Sequence, residues 1–447
     1  MKIEELYPLL NNEYLILVGE LAARRQVDAY FVGGGLRDFL MGRNIKDFDF
    51  ALSSGAEEVP VEFARAIGGT FFWLDRQRCH SRVVEKSGSG NLVFDFVPLR
   101  GEEIIKDLQL RDFTINALAL PLVGMDISLI DPFQGKGDLS RKVIRACYEN
   151  SFDDDPLRLL RAIRFAATLD FDIEDATWLR LSEKADLLKK VSPERVRDEF
   201  FQILTAPGVG ASLEKLHESG LLDKVLTAGL FPENFCTSFE KRGVAFKERI
   251  GNAVDAEHIV SCSKNAAELR DYLQREVEGG VSIFSLLKLA AFLGEGDNPG
   301  LLAAKVAARL RIGVKARRIL VLLSGRTVNL FNLSGRNTTK RSMYRFFADR
   351  EPAGVALLIL TSARGDIFRD LAEQLIDFYF QEFPKIYDDI LLSGGEIMAI
   401  LGIGQGREVG EAVELLKKAE SAGLINDKEE AREFLKKNLL TKKEPII

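Results

Sequence analysis

Two stretches of this chain carry residue types whose spacing could do chemistry. Phe31–Phe50 reads FVGGGLRDFLMGRNIKDFDF, and Asp154–Ala167 reads DDPLRLLRAIRFAA. In the first, the short apolar run Asp28–Val32 predicts a strand that empties into Gly33, Gly34 and Gly35, with a helix opening at Arg37 and Asp38. Glycines at such a turn let backbone N–H groups approach a polyphosphate, and the helix N-terminus behind them adds positive partial charge. Arg37 can add a full charge. Asp47-Phe48-Asp49-Phe50 alternates acid and aromatic, so on a strand both carboxylates share one face and both rings face the core. Adjacent carboxylates repel unless a cation lies between them. Hard oxygen donors suit Mg²⁺, which takes one or two carboxylates together with substrate phosphates. A third acid, Asp95, sits between Phe94 and Phe96 on another predicted strand and could complete the cluster.

In the second stretch Asp155 and Arg158 are three residues apart, which predicts one shared helix face, with Arg161 and Arg164 continuing along an adjacent line. An aspartate only accepts and an arginine only donates, so the pair complements an amino group beside an unprotonated ring nitrogen. Cytosine and adenine carry that pattern on their Watson–Crick edges; uracil and guanine carry the reverse. A wrong base would leave buried polar groups unpaired, and sites built this way discriminate by about 10⁴ or more. Taken singly, a glycine turn, an Asp-x-Asp strand or a helical Asp/Arg pair would be read as a tight turn, a solvated edge and a surface ion pair worth a few tenths of a kcal/mol. Their occurrence together and in this order favours the chemical reading.

On these residues the chain resembles the head domain of the polymerase-β nucleotidyltransferase superfamily. More closely, it resembles the class II transfer RNA nucleotidyltransferases and the related bacterial poly(A) polymerases. Asp107–Leu118, DLQLRDFTINAL, is similar to the family's second motif, with its usual paired arginine reduced to Arg111 after Leu110. Asp131–Leu139 resembles the linker from head to neck, and Ser192–Glu199, SPERVRDE, resembles the neck motif whose arginine, here Arg195, steadies the nucleotide-selecting residues. The resemblance implies attack of an RNA 3′-hydroxyl on the α-phosphate of a nucleoside triphosphate, with Mg²⁺ held by Asp47 and Asp49. It implies further that Gly33, Gly34, Arg37 and Arg111 hold the triphosphate, that Asp155, Arg158, Arg161 and Arg164 serve nucleotide binding, and that Asp112, Asn116 and Arg195 support them. The implied partners are the tRNA 3′ end, CTP and, in members that complete the CCA end, ATP. Such members carry a flexible loop of a few tens of residues between the arginines matching Arg100 and Arg111. Only Gly101–Leu110 intervenes here, so the resemblance implies addition of CC, although Phe71–Arg82 could supply a substitute element.

The elements that must position these residues predict an α+β chain. Strand candidates at 28–33, 47–52, 69–74, 92–98 and 114–121 place a mixed sheet with helices at 1–145, the head. Helical periodicity dominates afterwards, giving a neck at 146–208, a body at 209–370 and an RNA-binding tail at 371–447. In the body, Phe284–Gly294 is similar to a helix that in many relatives ends in a metal-binding His-Asp pair; here Gly294 and Glu295 stand there, which predicts a core helix without phosphohydrolase chemistry. Leu392–Gly410 resembles the C-terminal segment of the tRNA enzymes, whereas related poly(A) polymerases usually end in a basic tail.

With 447 residues, 46% hydrophobic and 29% charged, the composition is that of a globular protein large enough for several domains. A net charge of −6 excludes only a uniformly basic surface, because Lys305, Arg309, Arg311, Lys315, Arg317 and Arg318, with Lys340, Arg341 and Arg345, form local basic patches. Cys79, Cys147, Cys236 and Cys262 are scattered, as are His80, His217 and His258, so neither a zinc site nor a disulfide framework is expected. No apolar stretch reaches membrane-span length, and Lys2, Glu4 and Glu5 stand where a secretory signal would be apolar. A cytoplasmic location without membrane partners is expected.

Overall fold

A computed structural model describes residues 3–53, 58–87, 90–101, 103–124, 128–227, 246–294, 298–325, 339–363, 369–384, 391–421, 424–425 and 427–440. The chain divides into two compact units, one of residues 1–207 with 214–225 and one of residues 208–213 with 226–447. The expected α+β class holds: the sheet lies at the N-terminal end and helices dominate afterwards.

In the first unit, helices α1 (Ile3–Leu10) and α2 (Glu13–Arg24) precede β1 (Ala29–Val32), α3 (Gly33–Leu40), β2 (Asp47–Leu52), α4 (Glu58–Ile67), β3 (Thr70–Asp75), β4 (His80–Ser87) and β5 (Gly90–Pro98). With β6 (Ala119–Pro121) these strands form one sheet in the order β3-β4-β5-β2-β1-β6. The β2–β5 pair is parallel and its register decides the site. Phe48 lies opposite Phe94, Asp49 opposite Asp95 and Phe50 opposite Phe96. The aromatic face is therefore a ladder, with ring centroids 5.0 Å apart for Phe48–Phe94 and 4.8 Å for Phe50–Phe96. Tyr14 of α2 and Phe63 of α4 close over it, and Phe50, Phe63, Phe94 and Phe96 are fully buried. Burial of such rings stabilises by roughly 1.5–3 kcal/mol each, which anchors the strands and leaves their other face to the acids.

Three expectations about the sheet and the glycine turn change. The strand β4 was not foreseen; it pairs antiparallel with both β3 and β5, and the Phe71–Arg82 stretch spans that hairpin. The candidate strand 114–121 survives only as β6, because Thr114–Asn116 forms a 3₁₀ turn. Asp112 Oδ1 accepts from the Phe113 N–H at 2.8 Å and from Asn116 Nδ2 at 3.0 Å, a local capping that competes with a ladder. The helix after the glycines opens at Gly33, not Arg37, so the glycines are its first turn.

Helix α5 (Ile104–Gln109) lies between β5 and the 3₁₀ turn, and α6 (Gly135–Arg141) follows β6. Asp131 caps α6 by accepting from the Gly135 and Lys136 amides at 2.6 and 3.0 Å. Two short strands, β7 (Val143–Ile144) and β8 (Asp172–Ile173), bracket α7 (Ser151–Asp154) and α8 (Arg158–Leu169), so strands do not vanish after residue 150. Helices α9 (Asp175–Glu183) and α10 (Pro193–Thr205) complete the part used below.

Asp155 and Arg158 do not share a helix. Asp155 is extended (φ −141°, ψ 96°) between α7 and α8. Pro156 is the reason: it has no N–H to donate and forces its predecessor out of the helical region.

The second unit is helical, apart from a small ribbon of Glu276–Glu278 with Val281–Ser282, among the described residues. Helix Ile283–Leu293 is buried along almost its whole length, as a core helix should be. Its Lys288 is fully buried and donates to Ala253 O at 3.0 Å and Glu257 Oε2 at 2.6 Å. Arg249 donates to the carbonyls of Phe292 and Leu293, and a Cβ on Gly294 would lie 3.1 Å from its Nη1. Glu295 lies outside the described residues. Helices Gly394–Leu401, Arg407–Ser421 and Lys428–Leu435 share an apolar cluster of Ile397, Ala412, Leu416, Ala431 and Leu435. Lys305, Arg311, Lys315, Arg317 and Arg318 are exposed on helices Pro299–Arg309 and Val314–Ser324 and the turn between them. Among the described residues no helix is long and apolar enough to cross a membrane.

Candidate active site

The parallel register puts Asp49 and Asp95 side by side on the face opposite the phenylalanines, with Asp47 two residues up the same strand. Asp47 is exposed and Asp49 half-buried. Burial pushes the Asp49 carboxyl up to about 6; Asp95 and Asp47 add to the rise, while Arg111 and the Gly34 amide oppose it. A carboxylate so placed gains from a cation. Asp95 is differently occupied: Arg82 of β4 grips both its oxygens, at 2.6 and 2.7 Å. Among the described residues no group of three or more His, Cys, Asp and Glu side chains could by itself hold a metal ion. Asp47 and Asp49 fit a cation that takes two carboxylates and completes its shell with phosphates and water, the habit of Mg²⁺.

The glycine turn lies against these acids. Gly33 has φ +73°, and a Cβ there would come within 2.7 Å of Asp49 Oδ2. Gly35 has another reason, since its Cβ would lie 2.5 Å from Asp47 O and 2.8 Å from the Phe31 ring; α3 can approach β2 only without it. Gly34 meets only Arg37 Nη2, at 3.6 Å, and its amide reaches Asp49 Oδ2 at 3.4 Å. Arg37 is buried, and three of its five N–H groups are taken: Nη1 donates to Asn116 Oδ1 at 2.9 Å, while Nε and Nη2 donate to Asp38. The cation facing the turn is Arg111, whose Nη1 would lie 3.3 Å from a Gly33 Cβ.

Between α7 and α8, the Arg158 N–H closes a turn onto Asp155 O at 3.0 Å, so the break at Pro156 still keeps the two residues together. The Arg158 guanidinium is buried; Nη1 donates to Tyr148 Oη at 3.1 Å and Ser151 Oγ at 2.8 Å, and Nη2 to Leu110 O at 2.7 Å. Its Nε–H and one Nη2–H have no partner among the described residues. Arg195 Nη2 donates to Asp155 Oδ2 at 3.2 Å, which brings the two side chains together.

Arg161 and Arg164 face inward to protein carboxylates. Arg161 donates to Asp112 Oδ2 through Nε (3.0 Å) and Nη2 (2.6 Å), and Arg164 Nε donates to Glu199 Oε2 at 2.7 Å. Burial would raise the Asp112 carboxyl, but Arg161, Asn116 and the Phe113 amide outweigh it and hold the group at about 2. Phe165 is packed by Arg37, Arg161 and Arg164, the last 4.2 Å from the ring centroid. These arginines brace α8 against α3 and the Asp112 segment.

Sequence reasoning did not find Arg82, Asp107, Tyr148 or Glu199 as site residues. Both Asp107 and Glu199 stood inside quoted motifs; the i,i+4 spacing of Asp107 and Arg111 could have found the first, whereas Glu199 lies thirty-five residues from Arg164 and only the fold pairs them. Arg82 could have been found by placing β4 beside β5.

Comparison with known proteins agrees with this geometry. Residues 29–145 match the family described as the poly A polymerase head domain, and residues 170–233 match one described as a probable RNA and SrmB-binding site of polymerase A. A CC-adding tRNA nucleotidyltransferase of Geobacter sulfurreducens is 37% identical over 430 residues, 96% of either chain. An A-adding tRNA nucleotidyltransferase of Deinococcus radiodurans is 30% identical, over 92% of this chain and 95% of its own. The fold is that of a CCA-adding enzyme solved with ATP, with a TM-score of 0.63 and 24% identity over 99% of this chain and 97% of the other. A head with paired acids beside a glycine turn, followed by helices, and a match over nearly the whole length of a relative 37% identical together place this chain in the tRNA nucleotidyltransferase family, as an enzyme of nucleotidyl transfer.

Proposed function

We propose that this enzyme adds two cytidines to the 3′ end of tRNA from CTP, in the cytoplasm, with Mg²⁺ as its divalent ion and pyrophosphate as the second product. Use of divalent metal ions is general in the family. The observation that carries the specificity is the connection between Arg100 and Arg111, most of which is helix α5, with Arg100 and Arg111 both fastened to Asp107. A connection so short and so tied offers little room for a pocket rearrangement from CTP to ATP. The near-full-length relative named for CC addition supports the same reading.

In this reading Asp47 and Asp49 would hold the cation. Bound there, it supplies Lewis acidity to the attacking hydroxyl and neutralises charge on the transferring phosphate. Arg111 and the amides at Gly33 and Gly34 would hold the triphosphate in line, so positioning supplies much of the acceleration. Arg37, braced by Asn116 and Asp38, would stiffen the first turn of α3 and offer its remaining Nη1 and Nη2 N–H groups to the triphosphate. Asp95 would act with Arg82 as a neutral pair beside the acids. The free N–H groups of Arg158 would donate to cytosine O2 and N3, and Asp155, steadied by Arg195, would accept from the N4 amino group. Uracil reverses the pattern at N3 and position 4. The four-part division into head, neck, body and tail is retained within this proposal. Incubating the purified enzyme and Mg²⁺ with tRNA lacking its CCA end and each labelled triphosphate tests the reading: CTP alone should be incorporated, and long adenosine tracts would instead identify a poly(A) polymerase.

A further inference from the structure

One buried carboxylate closes the short connection. Asp107, on α5, is 1% exposed. Its Oδ1 accepts from the backbone N–H and the Nε of Arg100 at 3.2 and 2.9 Å. Its Oδ2 accepts from Arg111 Nε at 3.0 Å and Nη2 at 2.9 Å. Arg100 then reaches the far end of the same segment, where Nη1 donates to Leu110 O at 3.2 Å, and its Nη2 donates to Asp107 O at 3.2 Å. The Leu110 carbonyl also takes Arg158 Nη2 at 2.7 Å. A carbonyl oxygen has two lone pairs, and here one serves an arginine of the connection while the other serves the arginine that faces the base.

The consequence is a single chain of contacts across the site. Arg111 stands at the glycine turn beside Asp49. Arg158 stands at the base side, against Tyr148 and Ser151. Asp107 holds the first directly and the second through Arg100 and Leu110. Charge makes the arrangement depend on Asp107: three guanidinium groups converge on this segment, and this is the carboxylate shared by two of them. Against the upward push of burial, Arg111 and Arg100 keep the Asp107 carboxyl below its usual range, so it is ionised at neutral pH.

We propose that Asp107 is a positioning residue for specificity, a latch that fixes the phosphate-facing Arg111 and the base-facing Arg158 in one mutual setting and so keeps the pocket from adapting to a second nucleotide. The inference rests on the cytidine-adding reading above and names the element that enforces it. Asp107→Asn keeps the shape but removes the charge and turns an N–H donor toward one guanidinium. Arg100→Ala is the milder cut: its side chain is about half exposed, at 46%, and its loss frees one side of the Leu110 carbonyl without emptying a buried site.

The test measures kcat and KM for CTP, UTP and ATP, with tRNA lacking its CCA end and with tRNA ending in CC, for the parent and both variants. With either variant the preference for CTP over UTP should fall by about tenfold or more, the size expected from freeing a charge-assisted contact. Adenosine addition to the CC end should rise relative to the parent, and Asp107→Asn should also raise KM for CTP as Arg111 loosens. A merely structural role would lower kcat for every nucleotide in proportion, and unchanged selectivity ratios in soluble variants would overturn the proposal. If Asp107→Asn does not fold, Arg100→Ala decides by the same ratios. A parent that itself adds terminal adenosine would contradict the CC reading, yet the CTP-over-UTP ratios would still decide for or against the latch.

Discussion

Replacing Asp112 by Asn should uncouple α8 from the Asp112 segment, and the structure sets the size of the effect. Asp112 is 7% exposed and takes both Nε and Nη2 of Arg161 on one oxygen. Folding holds its carboxyl at about 2 against ~3.9 for an unstructured aspartate, a difference of about 2–3 kcal/mol in favour of the fold. Asn keeps the shape and the Oδ1 contacts but loses the charge, leaving Arg161 with the more distant Glu199 at 3.5 Å. Loss of one partner of a buried pair costs about 3–5 kcal/mol at the upper end, so an expected loss of ~2–3 kcal/mol is consistent with both figures. The sign with pH follows from the depressed value. The contribution is fully present above the unfolded aspartate range and is lost as pH falls through that range toward about 2. Trp73 and Trp178, the only tryptophans, both lie in the first unit, so their fluorescence reports its urea unfolding. The parent should exceed the variant by ~2–3 kcal/mol at pH 7, with the gap narrowing at pH 4. Equal stability at pH 7, or a gap that widens in acid, would refute the reasoning.

Asp49→Asn should abolish nucleotide addition while leaving the fold intact. Because the Asp49 carboxyl sits at about 6, above its unfolded value, ionising it costs the fold stability as pH rises through about 6; without divalent ions the variant should then be at least as stable as the parent at pH 7.5. For the parent, protons and cation compete, so Mn²⁺ affinity read by titration should weaken as pH falls from 7 toward 5, and a flat profile would count against Asp49 as ligand. Gly35→Ala should destabilise by about 1–3 kcal/mol, because its Cβ meets Asp47 O at 2.5 Å; a neutral result in thermal unfolding would contradict the close approach of α3 to β2. Arg195→Ala should loosen Asp155 and lower the preference for CTP over UTP while changing the KM for pyrophosphate in the reverse reaction little; the opposite split would assign Arg195 to phosphate.

Much of the head was legible because its signals are local. The alternation of acid and aromatic in DFDF and FDF set which face each side chain takes, and the parallel register of β2 and β5 then had to put Asp49 and Asp95 together. The glycine turn was legible as a close approach, but its division of labour was not: Gly33 clears Asp49, Gly35 clears the β2 backbone, and only Gly34 stays open but for Arg37. The neck was misread at one point for a local reason that was in plain view. Pro156 breaks what the three-residue spacing suggested was one helix face, and a turn restores the proximity. Residues acting through distant partners were not legible. Arg82, Glu199 and Arg100 meet Asp95, Arg164 and Asp107 only through the fold, although the i,i+4 spacing of Asp107 and Arg111 was in view, and Arg37 and Arg161 each carry a contact within the protein, to Asn116 and Asp112, that spacing did not show.

The account stands most directly on what the enzyme leaves at the end of its product. Purified enzyme, Mg²⁺, CTP and ATP together, with a tRNA transcript that lacks its CCA end, followed by sequencing of the product termini, reads this in one experiment. The product ends should stop at two added cytidines even with ATP in excess. Efficient terminal adenosine after those cytidines would contradict it, as would adenosine added only to tRNA already ending in CC.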